Sequence, residues 1–476
     1  MLTMTDLFCG AGGSSTGALS VPGVSVRMAA NHWPLAIETH NTNHPTTDHA
    51  CADISQVDPR RFPRTDILWA SPECTNHSVA KGRRRNLDST PDLFGEILPD
   101  EAADRSRATM WDVPRFAEHH KYRAIITENV VDAAKWIMFP AWLQAMDLLG
   151  YDHHIVYMNS MHAQAAGDPA PQSRDRMYVV FWLRGNRAPD LDQWTRPRAH
   201  CVHCDEVVSA VQAWKKPTRW GRYRAQYVWR CPRVFCRNAI VEPGWLPAAA
   251  AIDWTIQGER IGDRARPLAP KTLARIEAGL KKFATEPFIQ RPYTPRSNLA
   301  QMSTSVQDQM PTFTASTTPG LLVPVEGRDG KDARSAADPL RTMTTRNETA
   351  LLVPYYGKGV ARTSDDPHGT FTTRDKYAFV VPLRANNTPK PVAEPYDTFA
   401  ANGNHHALAQ AETVNVDDCL FRMLEPHEIA AGMAFPRDYR ILGNKREQVR
   451  QAGNAVCPPN ARDLIAAVAE SLGVAA

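Results

Sequence analysis

Four short apolar runs in the first 185 residues constrain the fold most. They are "VSVRMAA" (24–30), "DILWA" (66–70), "RAIITENV" (123–130) and "RMYVVFWL" (176–183). Each is brief, apolar and closed by polar turn residues, and helical stretches lie between them. Runs of this kind read as strands buried on both faces. Strands alternating with helices predict an α/β fold: a doubly wound, mostly parallel sheet with ligands beyond the carboxyl ends of its strands. The residues that carry chemistry fall at those ends.

The remainder divides by character. Residues 1–184 form the expected α/β unit. From 185 to 418 proline is frequent and apolar periodicity weak. This second unit reads as an inserted, smaller, β-rich domain, and 419–476 returns to helix with "NARDLIAAVAESLG" (460–473). Within the insert, "PKTLARIEAGLKKF" (270–283) predicts a helix, with Leu273, Ile276, Leu280 and Phe283 on one stripe. Four related units follow across about 305–412, and their Thr312, Thr342, Thr370 and Thr398 recur every 28 to 30 residues. Each unit predicts two strands around a polar turn that must stack on its neighbours to bury an apolar face. Such units serve equally as a scaffold or as a DNA-contacting surface.

Nine cysteines, an odd count, argue against a disulfide framework. Four of them cluster at about 198–240: Cys201 and Cys204, then Cys231 and Cys236 after a gap of 26 residues. Two close pairs this far apart suit a tetrahedral thiolate site for a structural Zn2+, with four ligands and no position open to water. His200 and His203 are substitutes. A net charge of +4 does not announce nucleic acid, but its distribution does. Trp214 to Arg237 holds eight Lys or Arg, no acid, and five interleaved Trp and Tyr. That mixture can neutralise phosphates and stack on bases, with Arg219, Arg222 and Arg224 as candidates, or it can be a basic loop around a small core of its own. No apolar run reaches membrane-helix length, and the N-terminus lacks a secretory pattern, so a cytoplasmic protein is expected.

"DLFCGAGGSSTG" (6–17) reads as a strand end, a glycine turn and a helix start, where Gly10, Gly12 and Gly13 allow a ligand close to the backbone. "SPECTNHS" (71–78) follows the strand "DILWA" and presents Cys74. "ENV" (128–130) ends the next strand, and "QSRDR" (172–176), "FRMLEPHEIAAGMAFP" (421–436) and "QAGNAVCPP" (451–459) follow.

In this order, the six segments resemble the motifs of the DNA (cytosine-5) methyltransferase family. The resemblance covers about 1–183 and 419–476, with the family's target-recognition region between. It implies the S-adenosylmethionine-dependent methyltransferase fold and S-adenosyl-L-methionine as cofactor. Asp6, Phe8, the three turn glycines, His32, Trp33, Asp53 and Asn454 would then line the cofactor site. Cys74 would be the nucleophile that attacks C6 of cytosine, Glu128 would hydrogen-bond N3, and Arg176 would contact O2. Arg174 would support the loop. Ser78, Lys81, Arg83, Arg84 and Arg85 would meet phosphates around a flipped base in double-stranded DNA. The expected setting is a monomer on the nucleoid of a bacterial or phage-infected cell, with a cognate restriction endonuclease as a further partner. Two departures stand out. His32 replaces the glutamate that grips the ribose, and Glu73 replaces the proline before the cysteine. They motivate a second reading, the same chemistry on RNA or with a modified sulfonium donor. A third is a non-catalytic, zinc-containing DNA-binding protein.

Overall fold

The computed structural model describes residues 1–72, 108–253, 255–256, 258–268 and 416–474, three positions between 270 and 276, and the backbone of short strands between 288 and 409. Cys74, Glu73, Ser78, Lys81, Arg83, Arg84 and Arg85 lie outside the described residues. So does most of the helix expected at 270–283, of which 270, 273 and 276 are helical, and most of the repeat region.

Seven strands build the central sheet: β1 (Leu2–Leu7), β2 (Val24–Asn31), β3 (Asp48–Cys51), β4 (Ile67–Ala70), β5 (Ala124–Val130), β6 (Tyr151–Asn159) and β7 (Asp175–Leu183). Their spatial order is β3-β2-β1-β4-β5-β7-β6. The first five run parallel, and β7 lies antiparallel between β5 and β6. The sheet is thus α/β and mostly parallel, as the apolar runs predict. Crossover helices α1 (Gly13–Leu19) and α2 (Pro34–Asn43) join the first three strands.

Alternation along each strand divides the core between two faces. On β5, Ile126 packs with Trp69, Tyr178 and Val180 on one side, and Ile125 with Leu68, Val179 and Phe181 on the other. Helices Asp112–His120 and Phe139–Leu148 cover the second face with Phe116, Trp142 and Met146. The first face is closed by the C-terminal helix Pro458–Ser471, through Leu464, Ile465 and Val468. That helix also meets α1 along small residues. A Cβ on Gly17 would stand 2.4 Å from the Pro458 carbonyl oxygen, so the close approach requires glycine there.

A small module follows β7, made of two hairpins: β8 (Arg198–Cys201) with β9 (Glu206–Ser209), and β10 (Val211–Trp214) with β11 (Tyr227–Arg230). Its core holds Val208, Tyr223, Tyr227 and Trp229. Further along, Glu259–Arg260 pairs with the strand Cys419–Met423. Among the described residues no helix is long and apolar enough to cross a membrane.

Candidate active site

Parallel register carries β4 and β5 to the same edge, with Ala70 beside Thr127. Glu128 comes one residue later on β5. Cys74 is four residues past Ala70, on the segment that leaves β4. The described part of that segment is tied to β5: the Asn129 amide nitrogen lies 3.3 Å from the Pro72 carbonyl oxygen. Pro72, two residues before Cys74 in the sequence, is thus held at the end of β5 that bears Glu128.

β7 brings in the third group. Tyr178 lies opposite Glu128 and Arg176 opposite Val130, so Arg176 and Glu128 are diagonal neighbours on one face. Arg176 Nε stands 2.8 Å from Glu128 Oε1, and the residues are only 7% and 8% exposed. A buried carboxylate and a guanidinium thus meet at the sheet's ligand edge. Removing either would leave a buried charge without its partner, at a cost of about 3–5 kcal/mol. Arg174 does different work. Its guanidinium donates to the carbonyls of Gly453 (3.1 Å) and Ala455 (2.9 Å), which fastens the loop before β7 to "QAGNAV".

The glycine turn lies at the carboxyl end of β1. Phe8 holds φ 58°, a left-handed conformation costing about 1–3 kcal/mol in a non-glycine residue. At Gly10 (φ 52°) no atom of the described residues lies within 4 Å of a would-be Cβ. The other two glycines answer to packing within the protein. A Cβ on Gly13 would lie 1.9 Å from the Val456 carbonyl oxygen, and one on Gly12 would lie 2.5 Å from Tyr439 Oη. Sequence reasoning assigned all three to close approach by a ligand; in the structure only Gly10 leaves room beside the turn.

Asp6 closes the base of the turn. Its Oδ2 accepts from the Ser14 and Ser15 hydroxyls, both at 2.6 Å, and its buried Oδ1 has no partner among the described residues. Burial pushes this carboxyl up to about 7, against the pull of the two serine hydroxyls. At the end of β2 the buried Asn31 side chain accepts from Trp33 N at 2.9 Å. His32 is exposed, and the Arg450 guanidinium lies 4.5 Å over the Trp33 ring. Asp53, also exposed, caps a short turn of helix by accepting from Ser55 N. Asn454 is the exposed last residue of the helix Lys445–Asn454.

The hairpin module docks on the same side of β5. Trp220 Nε1 donates to the Val131 carbonyl (2.9 Å), Arg222 pairs with Asp132 (2.6 Å), and Tyr223 N donates to Asp175 (3.0 Å). Arg224 pairs with Glu242 at 3.1 Å. Tyr223, Tyr227 and Trp229 are buried in the module's own core and are not available to stack on bases. Arg219 is exposed and has no carboxylate partner among the described residues. The sulfurs of Cys201, Cys204, Cys231 and Cys236 lie within 4.8 Å of one another, a spacing that could hold a metal ion. His200 pairs with Asp205 instead.

Sequence reasoning missed a histidine group behind the turn: His40, His44 and His49. The one available signal was the i, i+4 spacing of His40 and His44 on a helix next to the glycine turn.

Comparison with known proteins follows the same lines. The C-5 cytosine-specific DNA methylase family matches residues 2–200 and 322–470, about three-quarters of the chain. Two curated relatives are Type II methyltransferase M.AgeI of Thalassovita gelatinovora (26% identical over 193 residues, 38% of this chain and 40% of the relative) and M.NlaX of Neisseria lactamica (27% over 187 residues, 38% and 53%). The aligned part thus spans about half the length of these relatives or less. Among solved structures, a mutant of Spodoptera frugiperda DNMT2 is similar at 13% identity, with 98% of this chain and 99% of that chain covered and a TM-score of 0.48. With the family match covering residues 2–200 and 322–470, most of the sequence, the chain belongs to the C-5 cytosine-specific DNA methylase family.

Proposed function

We propose that this chain transfers a methyl group from S-adenosyl-L-methionine to C5 of a flipped-out cytosine in double-stranded DNA. One observation carries the reading: the buried Glu128–Arg176 pair stands where the Cys74 loop leaves β4, with Pro72 held by Asn129. C5 of cytosine is a weak nucleophile. Attack by the Cys74 thiolate at C6 makes the ring enamine-like and raises electron density at C5. In its protonated form Glu128 donates its proton to N3 as the thiolate adds, and Arg176 holds the carboxylate this leaves and meets O2. Loss of the C5 proton and expulsion of the Cys74 sulfur then restore the aromatic ring.

The cofactor supplies an activated methyl on sulfur when bound. The residues at the glycine turn fit such a group: a would-be Cβ on Gly10 meets no atom of the described residues, Phe8 is held in a strained turn, and Asp6 offers a buried oxygen unpartnered among the described residues. His32, Trp33, Asp53 and Asn454 complete the cofactor set in this reading. For DNA, the 73–107 segment brings Ser78, Lys81, Arg83, Arg84 and Arg85 to phosphates around the flipped base. Arg219 adds a further phosphate contact. Arg222 and Arg224 support that surface from their ion pairs with Asp132 and Glu242. The four cysteines hold a structural Zn2+ in the inserted domain, and a companion restriction endonuclease is the partner this activity implies.

Incubating the full chain with methyl-labelled cofactor and duplex DNA tests the proposal. The label is expected in 5-methylcytosine and should be lost in Cys74→Ala. Label in another nucleoside, or in RNA alone, would overturn it.

A further inference from the structure

Behind the glycine turn a chain of polar side chains leads away from Asp6. Asp6 is the last but one residue of β1, Ser15 lies in the first turn of α1, His40 is on α2, and His49 is on β3. Ser15 Oγ is 2.6 Å from Asp6 Oδ2, His40 Nε2 is 2.9 Å from Ser15 Oγ, and His40 Nδ1 is 2.8 Å from His49 Nε2. Asp6, Ser15 and His40 are fully buried, and His49 reaches toward solvent.

Counting protons gives the direction of this chain for each state of Asp6. A hydroxyl has one proton. If Ser15 gives it to the Asp6 carboxylate, Ser15 must accept from His40, which puts a proton on His40 Nε2. Neutral His40 then accepts at Nδ1 from His49. Reversal of the chain would require the proton to sit on Asp6. The second histidine of α2 braces the other side of the turn. His44 Nε2 lies 3.2 Å from Thr16 Oγ1 and 3.3 Å from Tyr439 Oη. The Thr16 hydroxyl donates to the Gly12 carbonyl at 2.8 Å, and the Tyr439 hydroxyl donates to the Ala11 carbonyl.

We propose that His40 is a positioning residue for the methyl-donor site: through Ser15 it orients the Asp6 carboxyl and holds the glycine turn in the form that takes the donor. The inference rests on the reading that this turn binds S-adenosyl-L-methionine. His40 acts only through Ser15 and Asp6, so its removal should weaken donor binding and leave chemistry on the base untouched.

Calorimetric titration of the full chain with S-adenosyl-L-methionine, beside steady-state kinetics, tests it. His40→Leu should weaken donor binding about tenfold, the loss of one buried hydrogen bond. KM for the donor should rise in step, with kcat and KM for DNA within about twofold of wild type. His40→Gln, whose amide nitrogen can donate to Ser15, should recover binding to within about threefold. Ser15→Ala should weaken binding as His40→Leu does, and it stands in for that variant if leucine prevents folding. Wild-type affinity in Ser15→Ala, or equal loss in His40→Leu and His40→Gln, would overturn the inference. A wild-type chain that binds no donor would instead sink the reading of the turn itself.

Discussion

At Gly10 and Gly13 the same residue type answers to different demands, and substitution separates them. Gly13→Ala would press a methyl into the Val456 carbonyl, so the backbone of the turn or of the C-terminal segment must shift. We expect a loss of about 1–3 kcal/mol or more, visible as a lower denaturation midpoint. Gly10→Ala meets no atom and pays only for its left-handed φ, about 1–2 kcal/mol. Its larger effect should fall on cofactor affinity. The opposite order, with Gly10→Ala the more unstable, would contradict the packing account. His162 gives a pH prediction of the same kind. It is buried, accepts from Trp229 Nε1 at 3.0 Å, and burial lowers its pKa to about 3. A depressed histidine stabilises the fold fully above its ordinary value of 6.5, and that contribution is lost as pH falls from 6.5 toward 3. The buried Asp6, raised to about 7, works the other way, since its contribution is lost as pH rises from about 4 to 7. Urea unfolding at pH 7.5 and 5 of the wild type beside His162→Asn isolates the histidine, because Asp6 titrates in both chains. His162→Asn, whose oxygen can still accept from Trp229, should lose less stability on acidification than the wild type.

Among the elements, β2, β4, β5 and β7 were legible as strands, and the edge strands β3 and β6 were not. "DILWA" and "RAIITENV" are short, apolar and closed by turns, and they are strands within a residue or so of the expected ends. "RMYVVFWL" was equally clear as a strand, but its direction was not. A strand buried on both faces carries no polar alternation to mark orientation, and β7 runs antiparallel. β6 escaped notice because its exposed half carries Asp152, His153 and His154 at the sheet edge. The aromatic residues of the basic stretch looked like a stacking platform, yet most of them form the module's core. Spacing alone cannot tell an aromatic that stacks on a base from one that stacks on its neighbour. The cysteine cluster was legible as two close pairs in the sequence, and its four sulfurs converge to within 4.8 Å of one another. Elemental analysis of the purified chain should find about one zinc per molecule under the four-thiolate reading. Cys231→Ser should lower that content and destabilise the hairpin module. Full metal retention in this variant would remove Cys231 from the ligand set.

Across the whole molecule, two distant parts of the sequence build one site. The helix Pro458–Ser471 completes the core beneath β1 and β4, and Arg174 holds the Gly453 and Ala455 carbonyls. The glycine turn packs on Val456 and Tyr439 from the same C-terminal segment. The candidate site was legible where a motif ends a parallel strand, as the glycine turn follows β1 and "ENV" ends β5, because the carboxyl edge of a parallel sheet gathers such ends. The bracing of that edge by the C-terminal segment depends on close backbone contacts, which no spacing in sequence reports. The central claim is that Cys74 and Glu128 act together on one extruded cytosine. A duplex carrying 5-fluorocytosine tests it directly, because fluorine at C5 cannot leave as a proton and the thiol adduct should persist. With S-adenosyl-L-methionine present, mass spectrometry of the digested full chain should find the DNA on the peptide containing Cys74, and Glu128→Gln should slow its formation by about 100-fold or more. An adduct on another cysteine, or undiminished methyl transfer by Cys74→Ala, would contradict the account.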